Sequence, residues 1–116
     1  MTSKPEEIGD CYLANGSYIL NNYILKKANP DGVFLCHGKV IGAKGSKVEG
    51  LVFGHAWVEI RGVLLDFSNG KTLAAPLDKL YENGRIIKDT VKRYTPMQVA
   101  DMVLKHEHYG AWDDEN

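Results

Sequence analysis

Three residues have the side chains needed for nucleophilic acyl transfer: the thiol of Cys11, the imidazole of His55 and the carboxylate of Asp66. A thiol attacks a carbonyl carbon efficiently when an adjacent imidazole takes its proton and a carboxylate holds that imidazole in place. Such a set predicts acyl transfer at an amide or ester. The prediction requires that the fold bring the three side chains together, which depends on the elements that carry them.

His55 and Asp66 lie on a stretch typical of a β-hairpin. Residues 54–60 place aliphatic side chains at every second position, which predicts a strand. Residues 63–67 predict a second strand, and Arg61-Gly62 predicts the turn between them, because glycine allows the positive φ that such turns need.

A two-residue turn fixes which side chains share a face of this hairpin. Ile60 is then opposite Val63, and pairing backwards along the strands puts His55, Trp57 and Asp66 on one face. His55 and Asp66 become diagonal neighbours, about 7 Å apart at the backbone. We expect an imidazole-to-carboxylate hydrogen bond between them.

Cys11 is predicted to begin a helix. Asp10 is a favourable N-cap residue, and apolar side chains recur at helical spacing up to about Lys27. The unpaired amides and the dipole at the start of a helix stabilise a thiolate and can donate to an oxyanion. The Asp10 carboxylate opposes the thiolate, and an imidazolium at His55 would offset that effect.

The remaining segments predict an α+β fold, in which the N-terminal helix packs on a small antiparallel sheet with a C-terminal helix. The predicted elements are strands at 33–41 and 85–94, a glycine-rich loop at 42–50, and helices at 76–83 and from a capping box at 95–98 to about 106. The loop is either a lid over a site or a plain hairpin connection. We expect the aromatic tail at 108–112 to pack back on the domain.

Composition is that of an ordinary globular domain. The chain has 116 residues, 44% hydrophobic and 25% charged, so we expect one domain over 1–116 with flexible ends at 1–9 and 113–116. A net charge of −1 gives no nucleic-acid footprint, and no apolar run is long enough for a membrane span. Residues 1–7 lack the hydrophobic core of a signal peptide, so we expect none. The expected compartment is the cytoplasm, where Cys11 and Cys36 stay free thiols.

Each candidate also has a structural interpretation. Cys11 would be a small buried apolar residue, His55 a hydrogen-bonded core histidine and Asp66 a turn acid. Cys36 replaces Cys11 as nucleophile only if its strand neighbours His55. A zinc site from Cys11, Cys36, His37 and His55 lacks paired ligand spacing, so neither a metal nor a cofactor is expected.

Three motifs carry a family resemblance. Gly9-Asp10-Cys11 is similar to a Gly-x-Cys helix start, residues 55–59 to a His-Ala-Trp-x-Glu strand, and residues 63–66 to a strand that ends in Asp. These motifs resemble the transglutaminase-like branch of the papain-like cysteine enzymes. The resemblance covers about residues 9–67 and implies a papain- or transglutaminase-like core.

Carried over by residue, the resemblance implies that Cys11 is the nucleophile, His55 the general base and Asp66 the residue that orients His55. It also implies that Trp57 forms a wall beside the imidazole, whereas its place on a strand is equally typical of a core residue. Trp57 and Asp10 are the expected substrate-binding residues. No Gln precedes Cys11 at the papain oxyanion position. The chain is near the minimum size for this fold and lacks the subdomains that usually build a substrate groove.

The chain also resembles small uncharacterised bacterial and phage proteins. These combine His-Ala-Trp-Val-Glu, as at 55–59, with a Ser-Asn-Gly turn, as at 68–70, and a His-Tyr-Gly-x-Trp tail, as at 108–112. This resemblance implies no particular activity.

Three functional hypotheses follow. The first is a thiol hydrolase or acyltransferase of protease, deamidase, amidase or transglutaminase type, acting on a protein or peptide-like substrate. The second is a catalytically degenerate binding protein on the same fold, such as a phage or bacterial accessory protein that engages a host protein, in the host cytoplasm if phage-encoded. The third is a structural domain in which the three residues have no joint role.

Overall fold

The computed structural model describes residues 10–82 and 85–112. The ends predicted to be flexible, 1–9 and 113–116, lie outside these ranges. The helices are α1 (Cys11–Ile19, continued by a π-helix over Leu20–Ile24), α2 (Leu77–Glu82) and α3 (Pro96–His106). The strands are β1 (Val33–Ile41), β2 (Val52–Ile60), β3 (Val63–Asp66), β4 (Leu73–Pro76) and β5 (Ile86–Tyr94), with a 3-10 turn at Ser68–Gly70.

The five strands form one antiparallel sheet in the order β4-β3-β2-β1-β5. Ile60 pairs with Val63, as the two-residue turn requires. Both turn residues have positive φ, 48° at Arg61 and 87° at Gly62, which suits the right-handed twist of the flanking strands. The sheet and its helices confirm the predicted α+β class and the predicted hairpin register.

One face of the sheet is covered by α1 and α3. Ile19 and Val99 from these helices meet Leu35 and Val58 from the central strands, and all four side chains are fully buried. Trp112 is also fully buried in this cluster, which confirms that the aromatic tail packs on the domain. Burial of such a side chain stabilises a fold by about 1.5–3 kcal/mol. The packing fixes the start of α1 relative to β2.

On the other face of the sheet, buried side chains pack around the indole ring of Trp57. Cys36, Trp57, Leu64 and Ile86 come from four different strands and are buried together. A Cβ atom at Gly38 would lie 3.0 Å from Cη2 of Trp57, so glycine at this position lets the indole lie close to β1. Trp57 is therefore a core residue of this face.

Helix α1 differs from its prediction in its last turns. The backbone amide of Leu25 donates to the Leu20 carbonyl at 2.9 Å, a bond between residues five apart. Helical structure ends at Ile24, and Lys27, the predicted end, has a positive φ of 57°. Hydrophobic spacing predicts the helix but does not distinguish a wider final turn.

Strand β4 is not predicted from the sequence. The segment 73–76 is short and poor in β-branched residues, and it is extended because it pairs with β3, with Leu73 opposite Asp66. Pro76 ends this edge strand, whereas the sequence predicts it as the first residue of a helix; α2 instead begins at Leu77. A proline is tolerated there because an edge strand leaves one side unpaired.

The C-terminal half otherwise follows its predictions. β5 begins one residue after its predicted start. The capping box of α3 is present: the Thr95 side chain accepts from the Gln98 amide, and the Gln98 side chain accepts from the Thr95 amide. Within the described residues, no helix is both long and apolar enough to cross a membrane.

Candidate active site

His55 and Asp66 form the predicted cross-strand contact. Nε2 of His55 lies 2.8 Å from Oδ2 of Asp66. An ionised carboxylate only accepts hydrogen bonds, so the imidazole donates through Nε2. The side chains are 23% and 15% exposed, which leaves the pair at the edge of the interior.

The Asp66 carboxylate is held by three further donors. Its Oδ1 accepts from Nδ2 of Asn15 and from the Ser68 amide, each at 3.0 Å, and from the Ser68 hydroxyl. Burial opposes ionisation, but the hydrogen bonds from His55, Ser68 and Asn15 hold the pKa of the Asp66 carboxyl far below its usual range. Asp66 is therefore a fixed negative charge beside His55.

His55 is a stronger base than an exposed histidine. Burial alone would lower its pKa, but the hydrogen bond to Asp66 and the neighbouring Cys11 thiol raise the pKa of His55 to about 9. His55 is therefore an imidazolium at neutral pH. The other ring nitrogen, Nδ1, takes no part in the hydrogen bond to Asp66. It is buried and forms no hydrogen bond of good geometry with a described residue.

Cys11 is the first residue of α1 and lies beside His55, close enough to affect its pKa. With Nε2 engaged by Asp66, Nδ1 is the ring nitrogen that remains for an interaction with the thiol. Long or poorly aligned hydrogen bonds are common in catalytic sites without substrate. Cys11 is only 1% exposed, so a substrate reaches the sulfur only if the surrounding side chains move.

Sequence reasoning misses Asn15, a fully buried residue one helical turn after Cys11. Its Nδ2 lies 2.9 Å from the Cys11 carbonyl, 3.1 Å from the Ala56 carbonyl and 3.0 Å from Oδ1 of Asp66. Its Oδ1 accepts from the Phe67 amide at 3.0 Å. One side chain thus ties the start of α1 to β2 and to the end of β3. The available signal is spacing, because residues four apart share a helix face.

Asp10 occupies the N-cap position of α1, but its side chain does not cap the helix. The predicted N-cap position is therefore confirmed, without a capping hydrogen bond from the side chain. The carboxylate instead accepts from the Asn69 amide, at 2.9 and 3.1 Å. The Asn69 amide, in the turn that follows Asp66, thus takes the place of the helix amides as donor to Asp10. This hydrogen bond connects the turn to the start of α1.

Trp57 lies beside the imidazole. The two ring centroids are 6.3 Å apart with an interplanar angle of 23°, so the indole forms a wall next to His55. Its Nε1 donates to Oε2 of Glu59 at 3.1 Å. Glu59 is buried and also accepts from Nε of Arg93 at 3.0 Å. This network fixes the orientation of the wall.

No protein-family model, curated protein or solved structure matches the chain.

Cys36 lies on β1, which pairs with the strand that carries His55. This position meets the requirement for an alternative nucleophile, but the surroundings of Cys36 disfavour that role. It is fully buried opposite Trp57. Burial, and next the charge of Glu59, raise the pKa of the Cys36 thiol far above its usual range. Cys36 is thus a neutral core thiol. Among the described residues, no three His, Cys, Asp or Glu side chains are grouped so as to hold a metal ion.

Proposed function

We propose that this protein is a thiol hydrolase or acyltransferase that acts on an amide or ester bond of a protein or peptide-like substrate. Cys11 is the proposed nucleophile, and the proposed fold is a small papain- or transglutaminase-like core. The observation that carries the proposal is the 2.8 Å contact between His55 and Asp66 with the Cys11 thiol beside the same imidazole.

The first chemical step forms the acyl-enzyme. The Cys11 thiolate attacks the carbonyl carbon, a carbon–sulfur bond forms, and the carbonyl π electrons move to oxygen. Amides in the first turn of α1 are the available donors for that oxyanion. When the oxyanion collapses, the bond to the leaving amine or alcohol breaks, and the His55 imidazolium gives that group its proton.

The second step resolves the acyl-enzyme. The now neutral His55 takes a proton from water or from an acceptor amine, whose oxygen or nitrogen attacks the thioester carbon. The carbon–sulfur bond breaks, and the thiolate returns beside the imidazolium. Asp66 holds the ring throughout, and Asn15 holds Asp66 relative to α1 through its bond to Oδ1.

A catalytically degenerate binding protein on the same fold is the second candidate. One observation favours it: Cys11 is 1% exposed, whereas a working nucleophile must meet its substrate. In this case the Cys11, His55 and Asp66 contacts would serve the packing of α1 on the hairpin, and the protein would act by binding a partner protein.

Acylation of the thiol separates these candidates. We expect p-nitrophenyl acetate to add one acetyl group to the wild-type protein, located at Cys11 by peptide mass spectrometry. Cys36→Ser, which removes the neutral core thiol, should be acetylated like wild type, whereas Cys11→Ser should not be acetylated. His55→Ala should be acetylated much more slowly, because the imidazolium that favours the Cys11 thiolate is lost and the thiolate is the nucleophile. If Cys11 and Cys36 are acetylated equally slowly, the enzyme proposal fails.

A further inference from the structure

A cavity of about 280 Å³ lies beside His55 and Asp66, which form part of its wall. Most of the other lining side chains are aliphatic or aromatic, including those of Val40, Ile41, Phe53, Leu64 and Ile86. An apolar cavity of about 150 Å³ can hold a benzene molecule, so this one has room for a phenylalanine side chain or an acyl chain of roughly six to ten carbons.

One wall of the cavity is the loop at 42–50, from which Gly42, Ala43, Ser46 and Val48 contribute. The loop has its own internal bonds, such as that from the Gly50 amide to the Gly42 carbonyl at 3.1 Å. A Cβ atom at Gly42 would lie 1.7 Å from the Val48 carbonyl oxygen, so this close approach requires glycine. The loop is thus a built wall of the cavity.

The charge around the cavity is uneven. Arg85 lines it, is exposed, and donates through Nε to the Ile41 carbonyl at 3.4 Å. Besides Arg85, the ionisable side chains of the lining are His55 and Asp66, and these two neutralise each other. A cationic ligand group would therefore meet a positive guanidinium at the rim and apolar carbon inside, where an unpaired charge is costly.

We propose that this cavity binds the apolar side chain or acyl group next to the scissile bond, of about phenylalanine size and without a positive charge. The inference rests on the proposed function and names its substrate class. His55 and Asp66 line this cavity and Cys11 does not, so a group seated there lies beside the imidazole and reaches the sulfur once the side chains around Cys11 move. The reaction is selective for aromatic or long aliphatic groups over glycine and lysine.

Binding is tested without turnover in the Cys11→Ser variant. N-acetyl-phenylalanine amide, N-acetyl-glycine amide and N-acetyl-lysine amide are titrated to millimolar concentration while methyl resonances are followed by NMR. We expect the phenylalanine amide alone to shift Val48 and Ile86, which line the cavity, and to leave Ile19 and Val99 on the opposite face unchanged. Equal shifts with all three amides, or no shifts, would overturn the proposal.

A matched pair of substitutions locates the binding. Ala43→Phe fills the cavity from the loop, whereas Ala74→Phe adds the same ring to an exposed residue of β4 that does not line it. We expect Ala43→Phe to weaken binding of the phenylalanine amide at least about tenfold and Ala74→Phe to leave it unchanged. Arg85→Glu is a second test, which should increase binding of the lysine amide. Unchanged binding in both Ala43→Phe and Arg85→Glu would refute the site.

The cavity and the proposed function can fail separately. If the phenylalanine amide binds as expected but no ester acylates Cys11 in the wild-type protein, the cavity stands and the enzyme proposal fails. If p-nitrophenyl acetate and p-nitrophenyl hexanoate both acylate Cys11 at the same rate, the enzyme proposal stands and the cavity is not its acyl site.

Discussion

Nδ2 of Asn15 lies 3.0 Å from Oδ1 of Asp66. This contact joins the helix that begins at Cys11 to the end of β3, where Asp66 forms its hydrogen bond with His55. The same amide also reaches the carbonyl of Ala56, the residue after His55. All three candidate catalytic elements therefore meet at a buried side chain that has no chemistry of its own in acyl transfer.

Replacing Asn15 should affect both stability and the site. Asn15→Ala leaves the Phe67 amide without its buried acceptor and Asp66 without one of its donors, so we expect a loss of about 1–3 kcal/mol in the free energy of unfolding. Asn22→Ala is a matched control, because Asn22 donates to the carbonyl four residues earlier in the same helical segment but is exposed. Urea denaturation should show a change within about 0.5 kcal/mol for that control. Equal losses in the two variants would contradict the joining role.

The two thiols should differ in reactivity. Iodoacetamide should alkylate Cys11 at least about tenfold faster than Cys36 at pH 7, because Cys11 lies beside the His55 imidazole whereas Cys36 stays protonated in the core. His55→Ala should slow Cys11 to the rate of Cys36. Peptide mass spectrometry at several pH values gives both rates in one sample. If Cys11 reacts like Cys36 whatever residue occupies position 55, the thiol lacks the expected partner.

The buried carboxylate of Glu59 gives a third prediction. Glu59→Gln keeps an oxygen for the Trp57 indole but loses the charge opposite Arg93, so we expect a destabilisation of about 1–3 kcal/mol. The substitution should also lower the pKa of the Cys36 thiol and speed its alkylation, because the charge of Glu59 contributes to the high pKa. Glu49→Gln, at an exposed loop position, should change neither quantity. An unchanged Cys36 rate in Glu59→Gln would show that burial alone protects the thiol.

The hairpin half of the site was predictable from the sequence. The alternation along β2 and the two-residue turn fix the faces of both strands, so the contact between His55 and Asp66 follows from local geometry. Helix α1 was predictable from its hydrophobic spacing, and so was its start at Cys11. Short-range sequence patterns therefore predict these helices and strands, and they predict the contact of the His55 imidazole with Asp66 but not its approach to Cys11.

Long-range packing decided the rest. The 1% exposure of Cys11 depends on how α1 lies against the sheet, which no local pattern encodes. Asn15 was missed because a polar residue on a helix can face solvent or find buried partners, and the sequence does not say which. The Asp10 carboxylate could accept from the amides of the helix start or from an amide of the following loop. It accepts from the Asn69 amide in the loop, a choice that depends on the tertiary structure.

The His55 and Asp66 pair should make the free energy of unfolding depend on pH in a definite direction. An exposed histidine has a pKa of about 6.5, and in the folded chain the pKa of His55 rises to about 9. Between these values the folded state binds a proton that the unfolded state has lost. The stabilisation by His55, on the order of 3 kcal/mol, is therefore complete below about pH 6.5 and disappears as the pH rises through about 9.

His55→Gln removes this titration, so the difference between the wild-type and variant stabilities should shrink steadily from pH 6.5 to pH 9. Asp66 acts in the acidic range. Because its pKa is lowered in the folded chain, its ionised form stabilises the fold above about pH 4, and this stabilisation is lost as the pH falls further. Urea denaturation at half-unit steps measures both limbs. A wild-type and His55→Gln difference that stays constant across the alkaline range would show that His55 is neutral in the folded protein, and the imidazolium assigned to the first acyl-transfer step would then be absent before substrate binds.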